Sequence, residues 1–410
     1  MSKRAALRSL PLFDEAVSRD FRAEVEGFAA FGAQTQLSHE NGIPYLVNEY
    51  WTAAQRQAHA LHEVSYRACF KPQLPQFFID RLTGPGDGVY DPFMGRGTTP
   101  LQAALQARRP LGNDINPLGL LLARPRLAPP SLAEIEARLA RIPWDAPAEA
   151  DPALLAFYHG DTLRELAALR RFLLDEAPPE REPDPVDDWI RMVALNRLSG
   201  HSPGFFSVYS LPPNQAVSVE SQKRINARRG QEPPYRCVRS LILRKSRALL
   251  ADGAPPAHPP ALLGSGPAAQ ATFIPDGSAS LVVTSPPFLD TVQYAADNWL
   301  RCWFAGIDAN AIAISQHRSL EDWTRMVRGC FADLARILIP GGHVAFEVGE
   351  VRKGEVLLER LVWQALEGLP FERLFVLVNR QEFTKTSNCW GIGNNAKGTN
   401  SNRIVLARRL

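Results

Sequence analysis

The chain of 410 residues contains no apolar run of about 18 residues or more, the length a helix needs to cross a bilayer. Residues 1–8 also lack the continuous apolar stretch of a secretory leader, so a reduced, cytoplasmic setting is expected. Cysteine is sparse. Cys69, Cys237, Cys302, Cys330 and Cys389 are odd in number and lie far apart. No two have the spacing of a zinc clip, which argues against a metal centre and against a disulfide framework. The phosphate-cradling Gly-x-x-x-x-Gly-Lys-Ser/Thr run is missing. So is the Gly-x-Gly-x-x-Gly turn of dinucleotide binders, because the residue three places after Gly97 is Pro100. No internal repeat is visible.

What is present is an ordinary globular composition, 45% apolar and 22% charged, on a chain long enough for a large core with an inserted module. The net charge of +3 is unevenly spread. Arg197, Lys223, Arg224, Arg228, Arg229, Arg236, Arg239, Arg244, Lys245 and Arg247 are opposed between 197 and 250 only by Glu220 and Glu232. Ten cations less two anions put this stretch at +8 and leave the remainder slightly acidic. A basic stretch inside a near-neutral chain is a nucleic-acid signal; the plainer reading is a solvated helix face.

The element pattern predicts an α/β fold. Residues 1–50 read as mixed helix and loop, and 51–70 as a helix ended by Phe70-Lys71-Pro72. A second helix spans 74–82. Gly88-Val89-Tyr90 reads as a buried strand, 99–107 as a helix, and 109–114 as a second strand ending on an acid. Strand, glycine turn, helix, strand, acid is half of a doubly wound nucleotide-binding unit. From about 130 to 262, helices at 131–141, 161–174 and 187–198 alternate with proline-rich breaks. Strands return at 281–284, 342–348, 374–378 and 403–408, the last two as an antiparallel pair at the sheet edge. The expected architecture is a doubly wound, mostly parallel sheet with an antiparallel edge hairpin and a largely helical insertion. Its parts are a helical extension (1–55), a first sheet portion (56–130), the insertion (131–262) and a second sheet portion (263–410).

Two stretches carry chemistry. The first is Asp91-Pro92-Phe93-Met94-Gly95-Arg96-Gly97-Thr98-Thr99. Gly95 and Gly97 let the backbone approach a ligand, and Thr98 and Thr99 stand where a helix begins and its N–H groups face an anion. Asp114 at the next strand end suits hydrogen bonding to ribose hydroxyls. A tight packing corner is the plainer alternative. The second is Thr284-Ser285-Pro286-Pro287-Phe288. Prolines have no N–H, so paired prolines present only carbonyl acceptors, which match an amine that offers only N–H donors. Ser285 adds a further acceptor and Phe288 a stacking face for a flipped base. The plainer alternative is a turn capping a strand, with Phe288 in the core.

Together these stretches resemble the S-adenosylmethionine-dependent DNA amino-methyltransferases that modify N4 of cytosine or N6 of adenine. The resemblance covers roughly residues 62–125 and 262–408. It implies a Rossmann-like methyltransferase fold, S-adenosylmethionine as cofactor and double-stranded DNA as partner. Phe70 and Lys71 match the motif that closes the methionine end, and Asp91, Pro92, Phe93, Gly95, Gly97, Thr98, Thr99 and Asp114 the cofactor motif. Ser285, Pro286, Pro287 and Phe288 fall on the catalytic loop. Gly398-Thr399-Asn400, with Trp390-Gly391 upstream, is similar to the family's closing hairpin. Serine at 285 is the form associated with cytosine N4, where adenine enzymes more often carry aspartate. Phe288 stands where tyrosine is usual, and Ser265 where an acid usually takes the cofactor adenine, with Asp161 as another candidate for that contact. The long gap between the motifs often houses target recognition, so Arg224, Arg228, Arg229, Arg236 and Arg239 are expected at DNA. Phe205, Phe206, Tyr209 and Tyr235 interleave with them, and Asn214, Gln215 and Gln222 are candidate base readers. Cytosine C5 methylation is excluded, since its cysteine nucleophile follows proline and the five cysteines here follow Ala68, Arg236, Arg301, Gly329 and Asn388. RNA or protein amine methyltransferases, which usually carry Asn-Pro-Pro, and a catalytically dead DNA-binding protein remain as rivals. No nuclease constellation is evident, so any cognate restriction endonuclease would be a separate partner.

Overall fold

Val89, Tyr90, Leu281, Val282 and Val283 are all fully buried, which is why these runs are continuously apolar instead of alternating: they lie at the centre of a sheet covered on both faces. The computed structural model describes residues 15–52, 58–67, 69–147, 149–175, 184–211, 215–287, 294–312, 319–351, 356–380 and 401–410. Its strands are β1 (Gln36–Glu40), β2 (Ile43–Asn48), β3 (Gly88–Asp91), β4 (Arg109–Asp114), β5 (Leu262–Ser265), β6 (Ala279–Thr284), β7 (Leu338–Val348), β8 (Glu350–Val351), β9 (Val356–Leu357), β10 (Phe371–Arg380) and β11 (Ser401–Arg409). Nine form one sheet in the order β1-β2-β10-β11-β7-β6-β3-β4-β5. Pairings from β5 through β4, β3 and β6 to β7 are all parallel, and β11 joins antiparallel between β7 and β10. From β3 the chain steps outward to β4 and β5, then returns to place β6 on the other side of β3. That reversal is the switch point at which doubly wound sheets open a crevice at their strand ends. This is a Rossmann-like doubly wound sheet, the architecture that the resemblance implies.

The edge differs from expectation. β10 and β11 are antiparallel neighbours, but β2 pairs in parallel with β10 and β1 lies outside it, so neither is an edge strand. Residues 1–55 therefore supply a helix, α1 (Glu15–Glu26), and a hairpin, not a helical extension alone. The hairpin had a local signal. Asn41 and Gly42 both take positive φ, 51° and 76°, the demand of a two-residue type I′ turn.

The helices α2 (Gln73–Leu82) and α3 (Thr98–Leu105) fall where the spacing predicts them. The stretch 51–70 does not, since its described residues hold a single 3₁₀ turn, Ala60–His62. The reason is competition for its backbone. Arg126 donates to Leu61 O and Arg96 to Val64 O, while Asp252 accepts from Ala60 N, so distant side chains satisfy groups that a helix would satisfy internally.

Between β4 and β5 the described residues hold no named strand, and their α-helices are α4 (Leu118–Ala123), α5 (Leu132–Arg141), α6 (Gly160–Asp175), α7 (Pro185–Arg197), α8 (Val219–Arg229) and α9 (Val238–Leu249). Ser131 and Glu134 close a capping box at the start of α5. This lobe shares its core with the sheet portion, because Trp189, Leu195 and Ile242 join one apolar cluster with Leu101 and Leu118 and with Leu300 of α10 (Tyr294–Ala305). The opposite side is closed by α11 (Leu320–Ile337) and α12 (Leu358–Ala365). No helix among the described residues is long and apolar enough to cross a membrane.

Candidate active site

The glycine turn follows β3 and is shaped from beneath. Gly95 (φ 51°) and Gly97 (φ 78°) are left-handed, and Gly97 precedes the first residue of α3. A Cβ on Gly97 would stand 2.5 Å from that of Ala123, so no side chain fits there. Met94 N donates to Asn113 O at 2.9 Å and Gly97 N to Met94 O at 2.6 Å. The fully buried Arg126 lies below, donating to the carbonyls of Leu61 (3.1 Å), Leu122 (2.8 Å) and Arg96. Burial and the nearby Arg96 push its guanidinium down to about 9.

Asp114, at the end of β4, accepts from Gly95 N at 2.8 Å through one oxygen and from Asn116 N at 2.8 Å through the other. Burial pushes its carboxyl up to about 6, against these two bonds. Each oxygen keeps further acceptor capacity, and the residue lines the cleft.

Asp91 plays a different part from the one its motif suggests. It is buried and is not part of the lining of the cleft described below; its carboxylate accepts from Phe93 N at 3.0 Å and from Thr284 Oγ1 at 2.6 Å. Thr99 Oγ1 donates to Val283 O at 2.9 Å. Two side chains of the first motif thus tie it to the strand that carries the second. Burial pushes Asp91 up to about 7. Unfolded, the carboxyl titrates at about 4. Between these values the native state keeps a proton that the unfolded state has released, so this group stabilises most below pH 4 and its contribution is lost as pH rises to 7. The melting temperature of Asp91→Asn should therefore fall less than the wild type's from pH 4 to 8; parallel falls would refute the buried-acid account.

At the end of β6, Ser285 is hydrogen-bonded to the buried carboxylate of Glu347 on β7, which also accepts from Asn402 Nδ2 at 3.0 Å. Burial raises the Glu347 carboxyl and both bonds lower it. Trp323 Nε1 donates to Pro287 O at 2.9 Å, fixing the loop from α11. One cleft joins the motifs: Phe93, Gly95, Thr98 and Asp114 line one part, and Ser285, Pro286 and Pro287 another. Phe70 lines it too, with Tyr66, whose hydroxyl accepts from Asn116 Nδ2 at 3.2 Å.

Other sequence candidates fall elsewhere. Lys71 is exposed, Pro92, Gly97 and Thr99 are buried behind the turn, and Ser265 is exposed at the end of β5, paired in register with Asp114. None of these lines the cleft. Asp161 stands in the first turn of α6, ion-paired with Arg164 at 2.7 Å, and is likewise absent from its lining. Phe288, Asn214 and the closing-hairpin residues 390–400 lie outside the described residues. In the basic stretch, Arg224 and Arg228 are exposed on α8, Arg229 stacks 3.8 Å over Tyr209, and Arg239 is half-buried. Arg236 is half-buried and donates through one guanidinium nitrogen to the carbonyls of Ser202, Phe205 and Ser207, which fixes a loop. Phe205 and Phe206 are core, and Gln222 is buried with its amide on Tyr209 O. Tyr235 is exposed, its hydroxyl given to Glu165.

The sequence reading missed Tyr66, Arg126 and Glu347. Only Glu347 had a local signal, an acid inside the apolar run His343-Val344-Ala345-Phe346-Glu347-Val348. Among the described residues no cluster of His, Cys, Asp or Glu could hold a metal ion.

Residues 30–120, which contain the whole glycine turn and Asp114, match the family described as DNA methylase. On this stretch the chain matches the DNA amino-methyltransferases. The type II methyltransferase M.MjaII of Methanocaldococcus jannaschii is 38% identical over 72 residues, 18% of this chain and 13% of that relative. Among solved structures, the rRNA methyltransferase aviRa of Streptomyces viridochromogenes is 13% identical at a TM-score of 0.36, over 88% of this chain and 96% of its own. A Thermus thermophilus protein described as a DNA modification methylase, solved with S-adenosyl-L-methionine, is 23% identical at a TM-score of 0.20, over 35% of this chain and 51% of its own. Overlays this loose carry no weight on substrate, and the fold rests on the strand order above.

Proposed function

We propose that this chain is a DNA methyltransferase that moves a methyl group from S-adenosylmethionine to the exocyclic N4 amine of a cytosine flipped out of the duplex. The observation that carries the reading is the single cleft shared by Gly95, Thr98 and Asp114 with Ser285, Pro286 and Pro287. The donor set fits the cofactor: Asp114 offers acceptors for a ribose diol, the left-handed Gly95 brings backbone close to a ligand, and Phe70 and Phe93 supply apolar walls. When bound, S-adenosylmethionine supplies the electrophilic methyl group.

The remaining chemistry belongs to the loop. The amine nitrogen is a weak nucleophile because its lone pair is delocalised into the ring. With its hydroxyl turned to donate to Glu347, Ser285 would keep its oxygen lone pairs for one amine hydrogen. The Pro286 carbonyl takes the other, while Pro287 O is already bound by Trp323 and holds the loop in place. Acceptors out of the ring plane favour a pyramidal nitrogen aimed at the methyl group, a preorganised stabilisation of developing charge with proximity added. Phe288 is the proposed stacking face.

Purified protein with tritium-labelled S-adenosylmethionine should transfer label to duplex DNA. Label appearing only in RNA would favour the RNA-methyltransferase rival, and none in any nucleic acid would overturn the reading.

A further inference from the structure

Beside the cleft, sharing Tyr66 with it, lies an open pocket that the catalytic reading does not use. Its wall includes Glu63, Ser65, Tyr66, Arg96, Arg197 and Lys245. Tyr66 lines both spaces, and Arg96 is the residue between the two glycines of the turn.

The second pocket is cationic. Lys245 pairs with Glu63 at 3.1 Å, and three cations less one anion leave two positive charges. Among the described residues no carboxylate pairs with Arg96 or Arg197; Arg96 donates to Val64 O at 2.6 Å and Arg197 to Asn196 O at 2.9 Å. The Arg197 guanidinium lies 4.0 Å over the ring of buried Phe205, and Arg236 clamps the carbonyls on either side of that ring. The cation is thus held rigidly at the pocket wall. Burial and neighbouring Arg244 push it down to about 10, with Glu63 opposing them. Arg197 and Lys245 come from α7 and α9 of the inserted lobe, and Arg96 from the sheet portion.

We propose that this pocket binds a backbone phosphate of the DNA strand that carries the target base, through Arg197, Lys245 and Arg96. The proposal rests on the DNA reading above and extends it, because it places the strand's path between lobe and sheet. A phosphate there would neutralise the unpaired charge and set the flipped nucleotide beside the cleft.

The test is binding of a fluorescein-labelled duplex oligonucleotide over a range of salt, with Arg197→Gln, Lys245→Gln and the double variant. Each lost phosphate contact lowers the slope of log affinity against log salt by about 0.9. The double variant should lose about one unit of slope and about tenfold in affinity, the scale of one charge-assisted hydrogen bond. Cofactor affinity should be unchanged, which also shows that the variants fold. An unchanged slope in a cofactor-binding double variant would overturn the proposal while leaving the DNA reading intact. Failure of the wild type to bind duplex DNA would overturn both. A thermal shift by inorganic phosphate that the variants lose, without any change in slope, would assign the pocket to free phosphate instead.

Discussion

Ser285→Ala is expected to lower the rate of methyl transfer roughly 10²–10³-fold, the cost of removing one preorganised hydrogen-bonding group from a transition state. S-adenosylmethionine affinity should stay close to the wild type's, because the lost contact is made by the amine and realised as the nitrogen changes shape. The loop itself should hold, since Trp323 anchors Pro287 and Thr284 anchors Asp91 without help from residue 285. Single-turnover rates beside equilibrium cofactor binding separate the two effects. A parallel loss of both would mean that Ser285 shapes the cleft and does not act on the amine.

Asp114→Ala should weaken S-adenosylmethionine binding about 10²-fold or more, as charge-assisted hydrogen bonds contribute about 1.5–3 kcal/mol each. Part of the loss would come from Gly95 N and Asn116 N, which lose their acceptor. Asp114→Asn keeps one acceptor and should fall between. The wild type should show a matching pH dependence. The ionised carboxylate is the form that accepts from two hydroxyls, and its raised value of about 6 means that affinity weakens as pH falls through 6. Isothermal titration from pH 5 to 8 measures this. A flat profile, or an unimpaired Ala variant, would remove Asp114 from the cofactor site.

Both motifs were legible because each is local: a few consecutive residues at a strand end, whose position follows once the strand is recognised. The central strands were legible for the same reason, as short apolar runs bounded by glycine or proline. The Asn41-Gly42 hairpin carried an equally local signal, yet its outer strand Gln36–Glu40 is wholly exposed and offers no apolar alternation to announce it. The stretch around 58–66 was not legible, because its conformation is set by arginines far along the chain, Arg96 and Arg126, that take its carbonyls. The loop contacts of Arg236 were hidden for a related reason, since a guanidinium counts as basic in a sequence whichever groups its nitrogens meet. Glu347 and Ser285 meet only because β7 lies beside β6, a pairing that no local spacing contains.

The account turns on which atom receives the methyl group, and mass spectrometry of nucleosides from duplex DNA treated with the protein and S-adenosylmethionine reads that atom directly. The account predicts N4-methylcytosine. N6-methyladenine alone would overturn the choice of base and keep the chemistry of the loop, whereas C5-methylcytosine would contradict the mechanism.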